Sequence, residues 1–129
     1  MNTKILMSLS ALLMVILGGL ATFLPQEILD YFDSHPDGLV LLIVQIMGAL
    51  YMGFAILNWM ARSSIVGGIY NRPIALGNFL HFTMVALVLL RALMVEQRIE
   101  IIVAAVVYSA FTIWFGLATF TNPIKGKKS

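Results

Sequence analysis

The chain has 129 residues, of which 60% are hydrophobic and only 11% are charged, and it contains no cysteine. A soluble domain carries about 25% charged residues, and a fold this small needs polar surface to cover its core, so the composition excludes an ordinary soluble domain. The missing cysteines exclude disulfides, thiolate catalysis and Cys-based metal sites. The net charge of +2 does not indicate a nucleic-acid partner, because the basic residues flank apolar segments and form no stripe.

Four apolar runs follow one another along the chain, each long enough to cross a bilayer. A membrane-spanning helix needs about 20 mostly apolar residues, and the runs cover residues 5–24, 39–61, 74–95 and 101–121. The connections between them are short, which favours antiparallel neighbours. We therefore predict a single domain over residues 1–129, an all-α, membrane-embedded up-down bundle of four transmembrane helices.

Proline and asparagine residues indicate where these helices begin and end. Pro25 follows the first run and ends it, while Pro73 suits the first turn of the third helix. Asn71 precedes that turn and is a candidate cap. Residues 25–33 are too short and too acidic to cross the membrane, so they are predicted to form one or two helical turns at the interface, with their apolar side chains toward lipid.

The first run has an alternative interpretation as a secretory signal. Lys4 provides a basic start, and Gly19-Leu20-Ala21 offers small residues for cleavage. The apolar run is long for a signal, which favours a transmembrane helix.

The charges predict the orientation of the bundle. If the N-terminus is inside, an acidic loop (residues 25–38) lies outside, while an inner loop (residues 62–73) and a basic tail (residues 122–129) lie in the cytoplasm. This is the positive-inside pattern, and it predicts that both termini are cytoplasmic. The basic residues on the inner side are Lys4, Arg62, Arg72, Lys125, Lys127 and Lys128, and the acids on the outer side are Glu27, Asp30, Asp33, Asp37, Glu96 and Glu100.

Small residues form stripes on three of the predicted helices and are interpreted as packing surfaces, as is common in membrane helices. The second helix has Gly48 and Ala55 on one face and an Ala49-x-x-x-Gly53 pair beside it. The other stripes are Ser8, Ala11, Gly18 and Thr22 on the first helix and Ala105, Ser109, Thr112, Gly116 and Thr119 on the fourth.

Polar residues within membrane spans often have a function, and most of those here fall in the cytoplasmic half of the second and third helices. Antiparallel packing would place Asn58 and Asn78 at similar depth, with arginines nearer water. One interpretation is a pocket for an anionic or hydrogen-bonding ligand. The alternative is that the asparagines and the histidine bond one another between helices, while the arginines extend toward water. The candidate ligand-binding residues are Asn58, Arg62, Asn71, Arg72, Asn78 and His81.

A secondary candidate site in the outer half consists of Gln45 and Arg91. Arg91 recognises an anionic substrate in one interpretation; in the alternative it extends outward or pairs with Glu96 or Glu100. No metal site is predicted, because the two histidines fall on opposite sides of the membrane and no carboxylate lies near His81.

Part of the chain resembles a known group of proteins. The stretch Gly48-Ala-Leu-Tyr-Met-Gly-Phe-Ala-Ile-Leu-Asn-Trp59, followed by Gly67-Gly-Ile-Tyr-Asn-Arg-Pro73 and Gly77-Asn78, resembles small, largely uncharacterised bacterial membrane proteins with four helices. In size and layout the chain is similar to DoxX-like proteins. The resemblance covers under a third of the chain, implies a bacterial inner membrane and implies no activity.

The sequence contains no Gly-rich phosphate loop, no His-Glu-x-x-His and no Gly-x-Ser-x-Gly motif, and no cofactor is predicted. The leading hypothesis is a non-enzymatic membrane protein that binds a small ligand or lipid, or serves as an accessory subunit. The expected partners are the lipid bilayer and a second copy or a membrane partner subunit. The alternatives are an oligomeric transporter or channel subunit and a subunit of a quinone-linked membrane oxidoreductase.

Overall fold

A computed structural model describes residues 2–32, 35, 37–63 and 72–120. This part of the chain forms five helices and no strand: α1 (Thr3–Phe23), α2 (Pro25–Tyr31), α3 (Gly38–Ala61), α4 (Arg72–Leu93) and α5 (Ile99–Phe120). All except α2 are long and apolar enough to cross a membrane, since 21 residues at 1.5 Å each span about 32 Å, close to the thickness of the hydrocarbon core. The protein is an all-α integral membrane protein with four candidate spanning helices.

The helix ends follow the predicted signals and lie within two residues of the predicted bounds. Because Pro25 has no N–H to continue the first helix, α1 ends at Phe23 and Pro25 begins α2. Asp37 caps α3, its Oδ1 accepting a hydrogen bond from the Val40 N–H at 3.0 Å. Pro73 is the second residue of α4, where its missing N–H is not needed.

The short helix predicted after Pro25 is confirmed as α2. It is seven residues long, and the Gln26 side chain donates to Asp30 across one turn at 2.9 Å. Ile28 and Leu29 are half-buried, whereas Glu27 on the other side is exposed. The helix is therefore amphipathic, with its apolar side against protein.

The chain divides into two compact units, Met7–Arg62 and Met1–Leu6 with Ser63–Ser129. The first contains nearly all of α1 together with α2 and α3, and the second contains α4 and α5. Each is considered separately below. The single-domain organisation stays a prediction.

In the first unit, α1 and α3 run antiparallel and their backbones nearly touch. A Cβ atom added to Gly18 would lie 2.9 Å from the Gly48 carbonyl oxygen, and one added to Gly48 would lie 2.8 Å from the Gly18 carbonyl oxygen and overlap Thr22. Only glycine permits such an approach. The Gly48 and Ala55 stripe is buried as predicted, but Ala49 and Gly53 are exposed, and a Cβ at Gly53 would meet nothing within 4 Å.

In the second unit, α4 and α5 pack through an aromatic cluster centred on the fully buried Phe82. Its ring stacks on Phe111 and Phe115, with centroids 4.9 and 5.5 Å away, and lies 5.1 Å from Tyr108. These separations are those of favourable ring pairs. The cluster fixes how the two helices face each other.

Candidate functional site

The predicted ligand-binding residues are distributed over both units. Asn58 and Arg62 lie at the end of α3 in the first unit, and Arg72, Asn78 and His81 lie on α4 in the second. Asn71 lies outside the described residues. A joint pocket lined by all six residues therefore stays a prediction.

Asn58 links α3 to α1. It is fully buried, and its Nδ2 donates to the Ser10 hydroxyl oxygen at 3.0 Å. Ser10 is also fully buried and donates to the Met7 carbonyl oxygen at 2.9 Å. Ser10 was not among the residues predicted from sequence. It could have been found as a polar residue of the first helix that lies at the depth of Asn58. In hydrocarbon such a bond holds two helices together by about 0.6 kcal/mol on average.

Arg62 follows the last residue of α3 and is held against Trp59. Its guanidinium carbon lies 3.9 Å from the centre of the indole ring, and its Nη1 donates to the Trp59 carbonyl oxygen at 2.5 Å. A cation at a helix C-terminus is favoured by the helix dipole, and stacking on an aromatic face adds a cation–π attraction. Among the described residues Arg62 forms no salt bridge, since the ion pairs found there are those of Arg98.

On α4, Asn78 and His81 are three residues apart and lie on one helix face. Asn78 is fully buried, and its Nδ2 donates to the Ile74 carbonyl oxygen one turn back at 2.9 Å. The His81 ring packs 5.2 Å from Phe82 and 5.9 Å from Tyr108. His81 therefore extends the aromatic cluster, while Arg72, the first residue of α4, is exposed.

In the secondary outer site, Gln45 bonds to the end of α1. Its Nε2 donates to the Thr22 carbonyl oxygen at 3.3 Å. The last carbonyls of a helix have no partner within it, and Pro25 supplies no N–H to the end of α1. The Gln45 side chain thus stabilises a helix end, a role that the sequence analysis did not consider.

The second residue of this outer site is Arg91, for which one alternative was a salt bridge to Glu96 or Glu100. It is exposed in the last turn of α4, while Arg98 lies 3.9 Å from Glu96 and 3.3 Å from Glu100. The salt bridges found among the described residues join these two carboxylates to Arg98, which is two residues from each of them in sequence. The roles suggested for Arg91 stay predictions.

An apolar cavity of the first unit lies where α2 folds against α1 and α3; we call it the α2 groove. It has a volume of about 410 Å³. Ile28, Leu29 and Phe32, predicted to face lipid, line this groove. A second cavity of about 280 Å³ shares Ile28 and Phe32 with it and has Glu27 at its edge. The remaining groove residues are Leu17, Leu20, Ala21, Val44, Met47, Gly48 and Tyr51.

The groove follows from the local sequence. Pro25 ends α1, so the chain turns and the apolar side of α2 is held beside the two spanning helices. Gly48, whose backbone contacts Gly18, is one of the residues that line the groove. The lining is almost entirely hydrocarbon, with the Tyr51 side chain carrying the one hydroxyl group among the lining residues. This arrangement can accept an apolar chain.

The described residues contain no group of three His, Asp or Glu residues placed to hold a metal ion. No family model, no curated protein and no solved structure matches this chain. The similarity to DoxX-like proteins therefore stays a prediction from sequence, and the function has to be argued from the geometry of the chain itself.

Proposed function

We propose that this is a non-enzymatic protein of the bacterial inner membrane that binds one apolar chain of a lipid-like ligand in the α2 groove. The observation that supports the proposal most strongly is the groove itself, a cavity of about 410 Å³ closed on one side by an amphipathic helix. Ligand sites in proteins range from about 300 to 1,000 Å³ and are mostly apolar with a few polar groups. The α2 groove has this size and this chemistry.

The surroundings of the groove indicate which ligand it takes. It lies at the end of two spanning helices, beside a helix whose other side is charged. At that depth the bilayer offers acyl and isoprenoid chains, and burial of each methylene contributes about 0.8 kcal/mol. The proposed orientation has both termini in the cytoplasm, which puts α2 and its groove at the outer face; the basic flanks of the spans support this orientation.

Native mass spectrometry of the purified protein tests the proposal. We expect the wild type to retain one lipid-sized ligand per chain after delipidation. Met47 lines the groove and is partly exposed, so Met47→Trp should fill the space and abolish retention. The matched control is Met60→Trp, at an exposed position of the same helix that lines none of the cavities described here. Equal retention by all three proteins would refute the proposal.

A role as a subunit that pairs with a second copy or another membrane protein is the second candidate. It is favoured by α3, in which only 11% of the spanning window is buried, compared with 39% in α1. The exposed Ala49 and Gly53 lie on this helix, and small residues four apart permit close helix pairing. Cross-linking of an Ala49→Cys variant tests this candidate: a disulfide-linked dimer in membranes supports it, and an exclusively monomeric product contradicts it.

A further inference from the structure

A second cleft on the first unit lies beside Arg62, at the opposite end of α3 from its cap at Asp37. Its volume is about 220 Å³. Ala11 and Ala55 are buried and form its floor, and the larger side chains beside them are partly exposed. It shares no lining residue with the α2 groove, so the inference below does not rest on the proposed function. The walls are Leu12, Val15, Ile56 and Trp59.

An ordered cation lies against one wall of this cleft. Arg62 is three residues beyond Trp59, about 4.5 Å further along the helix axis. The guanidinium stacks on the indole ring that forms one wall of the cleft, and a bond to the Trp59 carbonyl oxygen holds it there. Because the side chain is already ordered, less conformational entropy is lost when its remaining N–H groups bind an anion.

Among the described residues of the first unit, no carboxylate pairs with this cation. The described acids of this unit are Glu27, Asp30 and Asp37. Asp37 caps the other end of α3, and 24 residues at 1.5 Å each separate the two ends by roughly 36 Å. No described carboxylate forms a salt bridge with Arg62, so its guanidinium can bind an anion from the membrane or from solution, and an apolar cleft beside the cation favours an anion that carries a hydrocarbon chain.

We infer that this cleft binds one anionic phospholipid, with an acyl chain along the alanine floor and the phosphate on the Arg62 guanidinium. Guanidinium groups bind phosphate in a bidentate manner, and Trp59 is of the residue type that anchors helices at the membrane interface. Each feature alone is ordinary for a membrane helix. Their coincidence, an apolar cleft with an ordered cation against its Trp59 wall, defines the proposed site.

Quenching of Trp59 fluorescence by brominated lipids tests this inference. The chain has two tryptophans, so Trp114→Phe leaves Trp59 as the single reporter. Brominated phosphatidylglycerol and brominated phosphatidylcholine with the same acyl chains are compared in vesicles at 0.15 M salt. The anionic lipid should bind near Trp59 roughly fivefold more strongly, the effect of one basic residue at the membrane surface.

Three variants in the same background separate the site from general surface charge. Arg62→Gln should remove the preference, and Val15→Phe, which fills the cleft from its open side, should remove most of it with the charge intact. Lys4→Gln is the matched control, an exposed basic residue in the first turn of α1 on the same predicted side as Arg62, and it should leave the preference unchanged.

The inference is overturned by any of three results: no preference in the Trp114→Phe protein, full preference in Val15→Phe, or displacement of the brominated lipid by 10 mM inorganic phosphate. The second result would indicate surface charge alone, and the third a site for free phosphate. Circular dichroism of every variant checks that helicity is retained, so loss of preference in a folded Arg62→Gln protein supports the site directly.

Discussion

Replacement of Gly48 by alanine should destabilise the protein by forcing α1 and α3 apart. The new Cβ atom would overlap the Thr22 hydroxyl oxygen and lie 2.8 Å from both the Gly18 carbonyl oxygen and the Thr22 backbone nitrogen. The side chain of Thr22 can rotate, but the two backbone atoms can withdraw only if a helix moves. Overpacking of this kind costs about 1–3 kcal/mol.

Gly53 provides the matched control on the same helix. A Cβ atom there would meet nothing within 4 Å, so Gly53→Ala adds the same methyl group without a clash. Both substitutions gain up to about 1 kcal/mol of helix propensity, and this gain cancels when the two variants are compared. The free energy of unfolding of Gly48→Ala should therefore be about 1–3 kcal/mol below that of Gly53→Ala.

The assay is reversible unfolding in mixed micelles with increasing SDS, followed by far-UV circular dichroism. Equal stability of the two variants would refute the close approach of α1 and α3. A loss in Gly53→Ala alone would show that the other face of α3 forms the contact.

Three further predictions use the same assay. The coupling free energy between Ser10→Ala and Asn58→Leu in a double-mutant cycle should be about 0.6 kcal/mol and at most about 1.7 kcal/mol, and a value of zero would exclude their hydrogen bond. Gln45→Leu should cost about 0.5–1.5 kcal/mol because a helix-end carbonyl loses its partner, and an unchanged stability would show that lipid or water replaces the amide. Phe82→Ala should cost about 3–5 kcal/mol, while Phe120→Ala, whose ring is 58% exposed, should cost less than about 1.5 kcal/mol; similar losses would contradict the aromatic cluster.

The helices could be predicted from sequence because lipid imposes one requirement on every span. Backbone N–H and C=O groups in hydrocarbon must form hydrogen bonds within the segment, so an uninterrupted apolar run of sufficient length is expected to form an α-helix. Pro25 and Pro73 act through their own missing N–H groups, and both mark helix ends correctly. The short helix α2 was predictable because Pro25 sets its start; its position at the membrane interface stays a prediction.

The face of each helix that packs against a neighbouring helix could not be predicted from sequence. Gly48 and Ala49 are adjacent small residues, yet one is buried against α1 and the other is exposed. The choice depends on the partner: Gly18 offers a backbone surface that Gly48 matches, and periodicity within α3 contains no information about it. Ser10 was missed because the sequence alone does not distinguish it from Ser8 in the same apolar helix; its partner Asn58 is known only once the antiparallel α3 is placed beside α1.

The candidate site was predicted in part. Arg62 was identified from its charge, but its stacking on Trp59 and the cleft beside it depend on side-chain packing. Sequence inspection assigned the apolar residues of α2 to lipid because it could not place a groove between three helices. The predicted grouping of Asn58 with Asn78 and His81 stays a prediction.

The number and order of membrane crossings are tested most directly by labelling single cysteines with an impermeant maleimide, which is straightforward because the chain has no cysteine of its own. Substitutions at Asn2, His35, Ser63 and Gln97, all of them exposed positions, flank the first three spans, and a substitution at Ser129 follows the fourth. Asn2, Ser63 and Ser129 should label from one side of the membrane, and His35 and Gln97 from the other. Labelling of Asn2 and His35 from the same side would contradict a chain that crosses the bilayer with each long helix.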